Sequence, residues 1–301
     1  MEAVVMKEAA FNIRKGRCLQ TYRDLVAQKE IVTQPTMGRC DAGFLEYLTD
    51  AEYTSLYATP LFNQSAPSNV SFRLIHGTTN TVGYIQAKKA VNNATGDAIL
   101  DALRVTKEQT NSAIIDTRNN KGGSIVPFLQ VVVGFADSKD DVIYTETNPK
   151  KDDVVWTAGE IVARVEAAGF TTADIGEFAD MEVTFLVNGA SVSAAEDIPA
   201  AARELSNNVY VVGSKTYGKG SLQKLFELSD GSRMRVTTAF VLFGEERRKL
   251  NHKGVRLHKK IKDTREVWGD TTNFERDAQF RFAFQRYAGE PVEANTIVAA
   301  N

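Results

Sequence analysis

The chain has 301 residues, 43% of them hydrophobic and 25% charged, enough to build a sizeable core in one large domain or two small ones. A formal net charge of −2, with basic residues scattered rather than banked, speaks against nucleic acid as a partner. No apolar run approaches the ~18 residues that span a bilayer.

Residues 1–69 read as a helical N-terminal region and 70–301 as a core domain. "LQTYRDLVAQKE" (19–30) has apolar residues at helical spacing, and "TDAEYTSLY" (49–57) opens on a plausible cap. "QSAPSN" (64–69) breaks the pattern. "VSFRLI" (70–75) and "TVGYIQA" (81–87) are short strand-like runs around the turn "HGTTN". "GDAILDALRVTKEQ" (96–109) is an amphipathic helix, followed by the apolar strand "SAIIDTR" (112–118), the glycine turn "NNKGGS" and the helical run "IVPFLQVVVGFAD" (125–137). "DVIYTET" (141–147) reads as a strand and "TAGEIVARVEAAG" (157–169) as a helix.

"MEVTFLVNG" (181–189), "AAEDIPAAAREL" (194–205) and "NVYVVGS" (208–214) give strand, helix, strand. "SLQKLFEL" (221–228) and "RMRVTTAFVLF" (233–243) form a strand pair around "SDGS", and "FERDAQFRFAFQRYA" (274–288) closes the chain with a helix. The strands in the middle are almost wholly apolar and alternate with helices. That pattern predicts an α/β fold with a mostly parallel central sheet covered by helices. Sites in such sheets form beyond the carboxyl ends of strands, which selects the loops "NNKGGS" and "GASVSAAED".

In the second loop, Ser193 stands where a buried strand turns into a helix. The N–H groups of a helix N-terminus are unpaired and carry partial positive charge. The amide of Ala194 can then stabilise an oxyanion as Ser193 attacks a carbonyl. The plainer reading is that Ser191 or Ser193 caps the helix. Lys219, between Gly218 and Gly220, follows the next strand by a few residues. An uncharged lysine can act as general base for a serine in place of histidine; its plainer reading is a solvated turn. Gln223, four residues on, can orient the amine or be an ordinary strand residue. Gly122 can supply a second oxyanion donor, with Asp116 and Arg118 holding its loop by hydrogen bonds, or the segment is a common glycine turn. His76, His252 and His258 all lie away from the serine loop in sequence, so a Ser-His-Asp triad has no local support.

Together, "IIDTRNNKGG", "VNGASVSAAED" and "VVGSKTYGKGSLQ" resemble three segments of the carboxyl-terminal processing proteases, or tail-specific proteases. They occur in that family's order, with "VGYIQ" before them and the "LSDGSRMRVTTAFVLF" strand pair after, over roughly residues 70–260. The resemblance implies a ClpP/crotonase-like core and a Ser–Lys serine endopeptidase that processes protein C-termini or extended segments. In it Ser193 is the nucleophile, Lys219 the base and Gln223 its orienter, and the Gly122 and Ala194 amides form the oxyanion hole. No metal or cofactor is implied, and the substrate is a polypeptide; a homo-oligomer stays open.

The departures are Val192 and Ala195 in the serine segment, Lys121 in the glycine loop, and Leu257-His258 where the family has Pro-Asp. No stretch is left for the peptide-binding PDZ domain that many members carry. Two further readings are a catalytically inactive scaffold that retains the fold, and a tricorn-like hydrolase assisted by His76.

The opening "MEAVVMKEAAFNIRKGRC" lacks the apolar stretch of a signal peptide, which predicts a cytosolic chain or an exported one whose leader has been removed. Family members are usually exported. Cys18 and Cys40 are expected as two buried thiols rather than a bridge. The sequons at Asn63, Asn69 and Asn93 would suit secretion, although such triplets also arise by chance.

Overall fold

The computed structural model describes residues 45–48, 70–88, 93–227, 233–262 and 277–289. The expected helices at 19–30 and 49–57, Cys18, Cys40, Asn63, Asn69 and the "SDGS" turn lie outside those residues. The chain divides into two compact units. The smaller takes residues 1–60, 146–154 and 221–241, and the larger takes 61–145, 155–220 and 242–301.

The larger unit is built on a six-stranded sheet. Its strands are β2 (Val70–His76), β3 (Thr81–Ala87), β4 (Ser112–Asp116), β7 (Glu182–Val187), β8 (Val209–Gly213) and β12 (Lys259–Lys260), in the order β12-β8-β7-β4-β3-β2. Neighbours from β12 to β3 are parallel, and only the β2–β3 hairpin is antiparallel, with Val70 opposite Ala87. A parallel strand sandwiched by helices on both faces must be apolar throughout. β4 follows this in its interior: all five of its residues are buried, Ala113, Ile114 and Ile115 are apolar, and the polar Ser112 and Asp116 stand at its two ends.

On one face, the terminal helix α5 (Ala278–Ala288) packs Phe280, Ala283, Phe284 and Ala288 against Val82, Tyr84, Ile114, Leu186 and Val212. Its start is fixed by Asp277, whose Oδ1 accepts from the Gln279 and Phe280 N–H groups at 3.1 and 3.0 Å, as N-caps do. Each fully buried phenylalanine there contributes about 1.5–3 kcal/mol. Helices α1 (Asn93–Gln109), α2 (Val126–Val132, followed by a 3₁₀ turn at Val133–Phe135), α3 (Ala158–Ala167) and α4 (Ala194–Leu205) complete this unit. Helix α3 begins with a capping box between Thr157 and Glu160.

The smaller unit holds β1 (Leu45–Leu48), so the one described segment of the N-terminal region is a strand rather than the expected helix. β1 lies antiparallel to β10 (Arg233–Phe243), Leu45 facing Val236. β9 (Ser221–Glu227) pairs with the other side of β10, as the strand pair read from sequence requires, with a bulge between Thr237 and Ala239. β5 (Val142–Asn148) and β6 (Lys151–Thr157) extend the same sheet, and β11 (Arg248–Lys249) pairs with the end of β10.

Candidate functional site

Three consecutive parallel strands, β4, β7 and β8, end at the same edge of the large sheet. Their carboxyl ends lead into the Asn119–Gly123 turn, the Gly189–Ser193 turn and the Ser214–Gly220 loop. Topology alone thus gathers the glycine turn, Ser193 and Lys219 on one rim.

The first two turns are sewn together. Asn119 and Asn188 exchange bonds: the Asn119 N–H donates to Asn188 Oδ1 and the Asn188 Nδ2 donates to Asn119 Oδ1, both at 3.0 Å. Val192 N–H donates to the Asn120 carbonyl at 2.9 Å. Ser191 is fully buried; its hydroxyl donates to the Thr117 carbonyl at 2.8 Å and accepts from the Asn188 N–H at 3.0 Å. Those bonds give Ser191 a structural task and leave Ser193, which is partly exposed, as the candidate nucleophile.

Ser193 holds φ 57° and ψ −127°, a region that non-glycine residues occupy at a cost of about 1–3 kcal/mol. The strand-to-helix turn of hydrolases with an exposed serine nucleophile is strained in the same sense. The Ala194 N–H, at the first position of α4, has no hydrogen-bond partner among the described residues. Gly122 lies against this turn with φ 78°; a Cβ there would sit 2.5 Å from the Val192 carbonyl oxygen and 3.0 Å from Ser193 Cβ. Only glycine fits. Its N–H donates to Asn120 Oδ1 at 2.9 Å.

The third loop is tied to the second by one carboxylate. Glu196 is fully buried in the first turn of α4. Its Oε2 accepts from the N–H groups of Ser193 (2.9 Å) and Lys219 (3.0 Å), and its Oε1 from that of Gly218 (2.7 Å). Tyr217 N–H adds a bond to the Ser191 carbonyl at 3.1 Å. The glycine before the lysine has its own reason: Gly218 has φ 86°, and a Cβ would lie 3.0 Å from Gly254 N. His252 N–H donates to the Gly218 carbonyl at 2.8 Å, so the Asn251–Gly254 turn backs the lysine loop. Thr216 reinforces it, accepting from the Val255 N–H at 2.8 Å.

Beneath the glycine turn lies a buried ionic network. Arg118 bonds Asp116 through Nη2 (2.6 Å), Nε (2.9 Å) and its own N–H (3.0 Å). Nη2 also reaches Asp277 at 2.7 Å. Tyr84 OH donates to Asp116 Oδ2 at 2.7 Å. Burial, then the Asp116 charge, raises the Tyr84 pKa well above its usual value. Burial alone would lower the Arg118 pKa, but Asp116 and Asp277 outweigh it and hold the guanidinium firmly charged. These bonds tie the end of β4 to the start of α5.

Gln223 stands on β9 opposite Thr237, in the smaller unit. His76 ends β2, whose antiparallel course carries it to the rim opposite the three loops; its Nδ1 pairs with Thr81 Oγ1 at 2.9 Å. His258 stacks on Tyr210 at 4.3 Å, and burial, then Arg203, Arg256 and Arg286, push its pKa down to about 4. No group of three His, Cys, Asp or Glu among the described residues could hold a metal ion. Sequence reading missed the work of Glu196 and Ser191. An acid three residues after the turn serine was the available signal, and it is a capping-box pattern.

The parallel sheet and its covering helices define an α/β protein with a strained serine at a strand-to-helix turn. The family model for "Peptidase family S41" matches residues 81–261. The chain belongs to that family. Over 158 residues it is 30% identical to a carboxyl-terminal-processing protease of Picosynechococcus sp., a match covering 52% of this chain and 34% of that one. It is 29% identical over 175 residues to the chloroplastic carboxyl-terminal-processing peptidase 1 of Arabidopsis thaliana, covering 58% and 32%. The chain thus spans about a third of the length of these curated relatives. The solved photosystem II D1 C-terminal processing protease superposes with a TM-score of 0.51 at 21% identity, over 66% of this chain and 50% of that one, a likeness of fold.

Proposed function

We propose that this chain is the catalytic part of a serine endopeptidase that cleaves polypeptides at or near their C-termini through a Ser193–Lys219 dyad. The observation that carries the reading is the Glu196 clamp, which fixes the backbone of serine and lysine to a single carboxylate. Curated relatives named as carboxyl-terminal processing enzymes support the substrate class.

The chemistry balances with these groups. An uncharged Lys219 amine takes the Ser193 proton as Oγ bonds the peptide carbonyl carbon. The resulting oxyanion faces the Ala194 N–H, which needs no rearrangement to donate. The Gly122 N–H joins it by exchanging its bond to Asn120. As the C–N bond breaks, Lys219 returns the proton to the leaving amine, and an acyl-serine remains. Water then gives a proton to Lys219 and attacks the acyl carbon, and that proton returns to Ser193 as the acid leaves. Gln223 is proposed to orient the amine once substrate is bound. Extended substrate is expected to pair with a strand edge, as peptides commonly do. An exported location follows the family; among the described residues, no helix is long and apolar enough to cross a membrane.

Ser193→Ala tests the proposal. Purified variant should lose hydrolysis of fluorescein-labelled casein by three orders of magnitude or more, roughly the scale for loss of a catalytic nucleophile. Hydrolysis retained in the variant would refute it. A folded wild-type chain inert toward every polypeptide would support the scaffold reading instead.

A further inference from the structure

Against the even scatter expected from the sequence, basic residues are banked along one flank of the larger unit. From Arg247 to Lys262 the chain carries eight lysines and arginines and no aspartate or glutamate, and all eight are exposed. The segment starts beside the end of α4, where Gly244 lies against the Glu204 side chain. It rises to the catalytic rim at Asn251–Gly254, the turn that backs the Lys219 loop through the His252 N–H and the Gly218 carbonyl. It returns toward α4 at Arg256, whose carbonyl accepts from Arg203 Nη1. It then climbs again through β12, and the Ile261 N–H donates to the Gly213 carbonyl at 2.9 Å. Among the described residues, none of its five lysines has an acidic partner. Lysines on an edge strand also guard it against further pairing. That role does not extend to α4, where three guanidiniums share one carboxylate. Glu204 lies 3.8 Å from Arg203 Nε, 3.8 Å from Arg248 Nε and 4.0 Å from Arg256 Nη1. Glu246 adds one further ion pair, to Arg248. The positive excess is felt by its neighbours: burial, then Arg256, lowers the Arg203 pKa, and burial, then Arg203, pushes His258 down to about 4.

Building on the Ser193–Lys219 reading, we propose that this flank is a docking surface for an acidic stretch of the polypeptide substrate, held by Lys253, Arg256, Lys259 and Lys260 between the end of α4 and the Lys219 loop. Charge complementarity supplies the attraction, and the course of the segment ties it to the site. Family S41 is a peptidase family, which favours a polypeptide over other polyanions. The length also fits. α4 has 12 residues, so at about 1.5 Å per residue it is about 18 Å long. Ser193 precedes its first residue, and Arg203 and Glu204 stand in its last turn. An extended peptide of about five residues spans that distance. Acidic side chains within about five residues of the cleaved bond therefore come within reach of the flank. Such docking acts on KM and on the choice of substrate, not on the chemical step.

Fluorescence anisotropy tests this without turnover. A fluorescein-labelled oligoglutamate of about ten residues, twice the span above, is titrated with the full Ser193→Ala chain. Binding should weaken severalfold between about 50 and about 300 mM NaCl, as screening shortens the reach of exposed charges. It should weaken roughly tenfold in Lys253→Glu/Lys260→Glu, which turns two attractions into repulsions. Equal affinity for a neutral Gly-Ser peptide of the same length, or no loss in the double variant, overturns the proposal. So does tighter binding of duplex DNA or of phosphatidylserine vesicles than of oligoglutamate, which would give the flank to another polyanion. Competition places the surface on the substrate's path: unlabelled oligoglutamate should raise KM of the wild-type chain for casein and leave kcat as it is. Inhibition that lowers kcat alone overturns the proposal. The two readings fail separately. Hydrolysis of casein by Ser193→Ala would sink the dyad and leave these affinities standing, whereas oligoglutamate that does not bind sinks only the docking surface.

Discussion

Replacing Glu196 by glutamine removes one charge and little volume, yet it should separate the two halves of the site. The carboxylate accepts three backbone N–H groups at 2.7–3.0 Å with its side chain fully buried. An amide has one acceptor oxygen. Placed at Oε1, its NH2 faces the Ser193 and Lys219 N–H groups; placed at Oε2, it faces that of Gly218. Either way at least one buried N–H is left opposite a donor, at about 1–3 kcal/mol each, and the remaining bonds lose their charge assistance. The total comes to about 2–4 kcal/mol, which a domain of ordinary stability survives. The lysine loop then loses its register on the serine turn. Misplacement on the order of 1 Å is worth roughly 100-fold in rate. Urea unfolding followed by circular dichroism and casein hydrolysis on the same preparation read both effects. A variant within 0.5 kcal/mol of wild type and equally active would refute the clamp, on the scale of an unremarkable surface change.

Asp197→Asn should also stabilise the fold at alkaline pH. The folded pKa of about 7 lies above the unfolded value of about 3.9, so ionisation disfavours the fold and stability falls as pH rises between the two. Thermal melts at pH 4 and pH 8 should show the variant ahead of wild type by a few kcal/mol at pH 8 only; equal differences at both would contradict this. His258 has the opposite sign: its pKa is lowered to about 4, so the stability it lends is present above pH 6.5 and lost as pH falls toward 4. His258→Gln should flatten that part of the melting curve against pH. Gly122→Ala should lower turnover at least tenfold, since its Cβ would press on the Val192 carbonyl at 2.5 Å and displace the serine turn; unchanged turnover would mean the glycine turn stands clear of the reaction. Tyr217 is 65% exposed and its N–H is bonded to Ser191 O. Tyr217→Ala should raise KM for casein severalfold with kcat nearly unchanged, as loss of an exposed aromatic anchor does.

The apolar runs at 112–116, 182–187 and 209–213 declared the parallel sheet, because strands buried on both faces have no polar alternation to hide behind. β6 escaped notice for the converse reason: "KDDVVWT" is exposed over its first five residues and its charges mask any period. The pairing of β10 with β1 and with β5 was beyond reach, since a period of two identifies a strand but not its partners. At the site, the residue types were readable and the division of labour was not. Ser191 and Ser193 are the same chemistry two positions apart; only the fold sends one hydroxyl to the Thr117 carbonyl and leaves the other partly exposed. Arg118 was legible as a loop anchor, but its partner Asp277 lies far along the chain, beyond any local pattern.

Reactivity of one hydroxyl probes the pairing of serine and lysine most directly. A fluorophosphonate probe, followed by peptide mapping, should modify Ser193 in the wild-type chain, leave Ser191 untouched, and fail to modify Lys219→Met at neutral pH. Equal modification of Ser193 with and without the lysine amine, or adduct on Ser191 instead, would contradict the account.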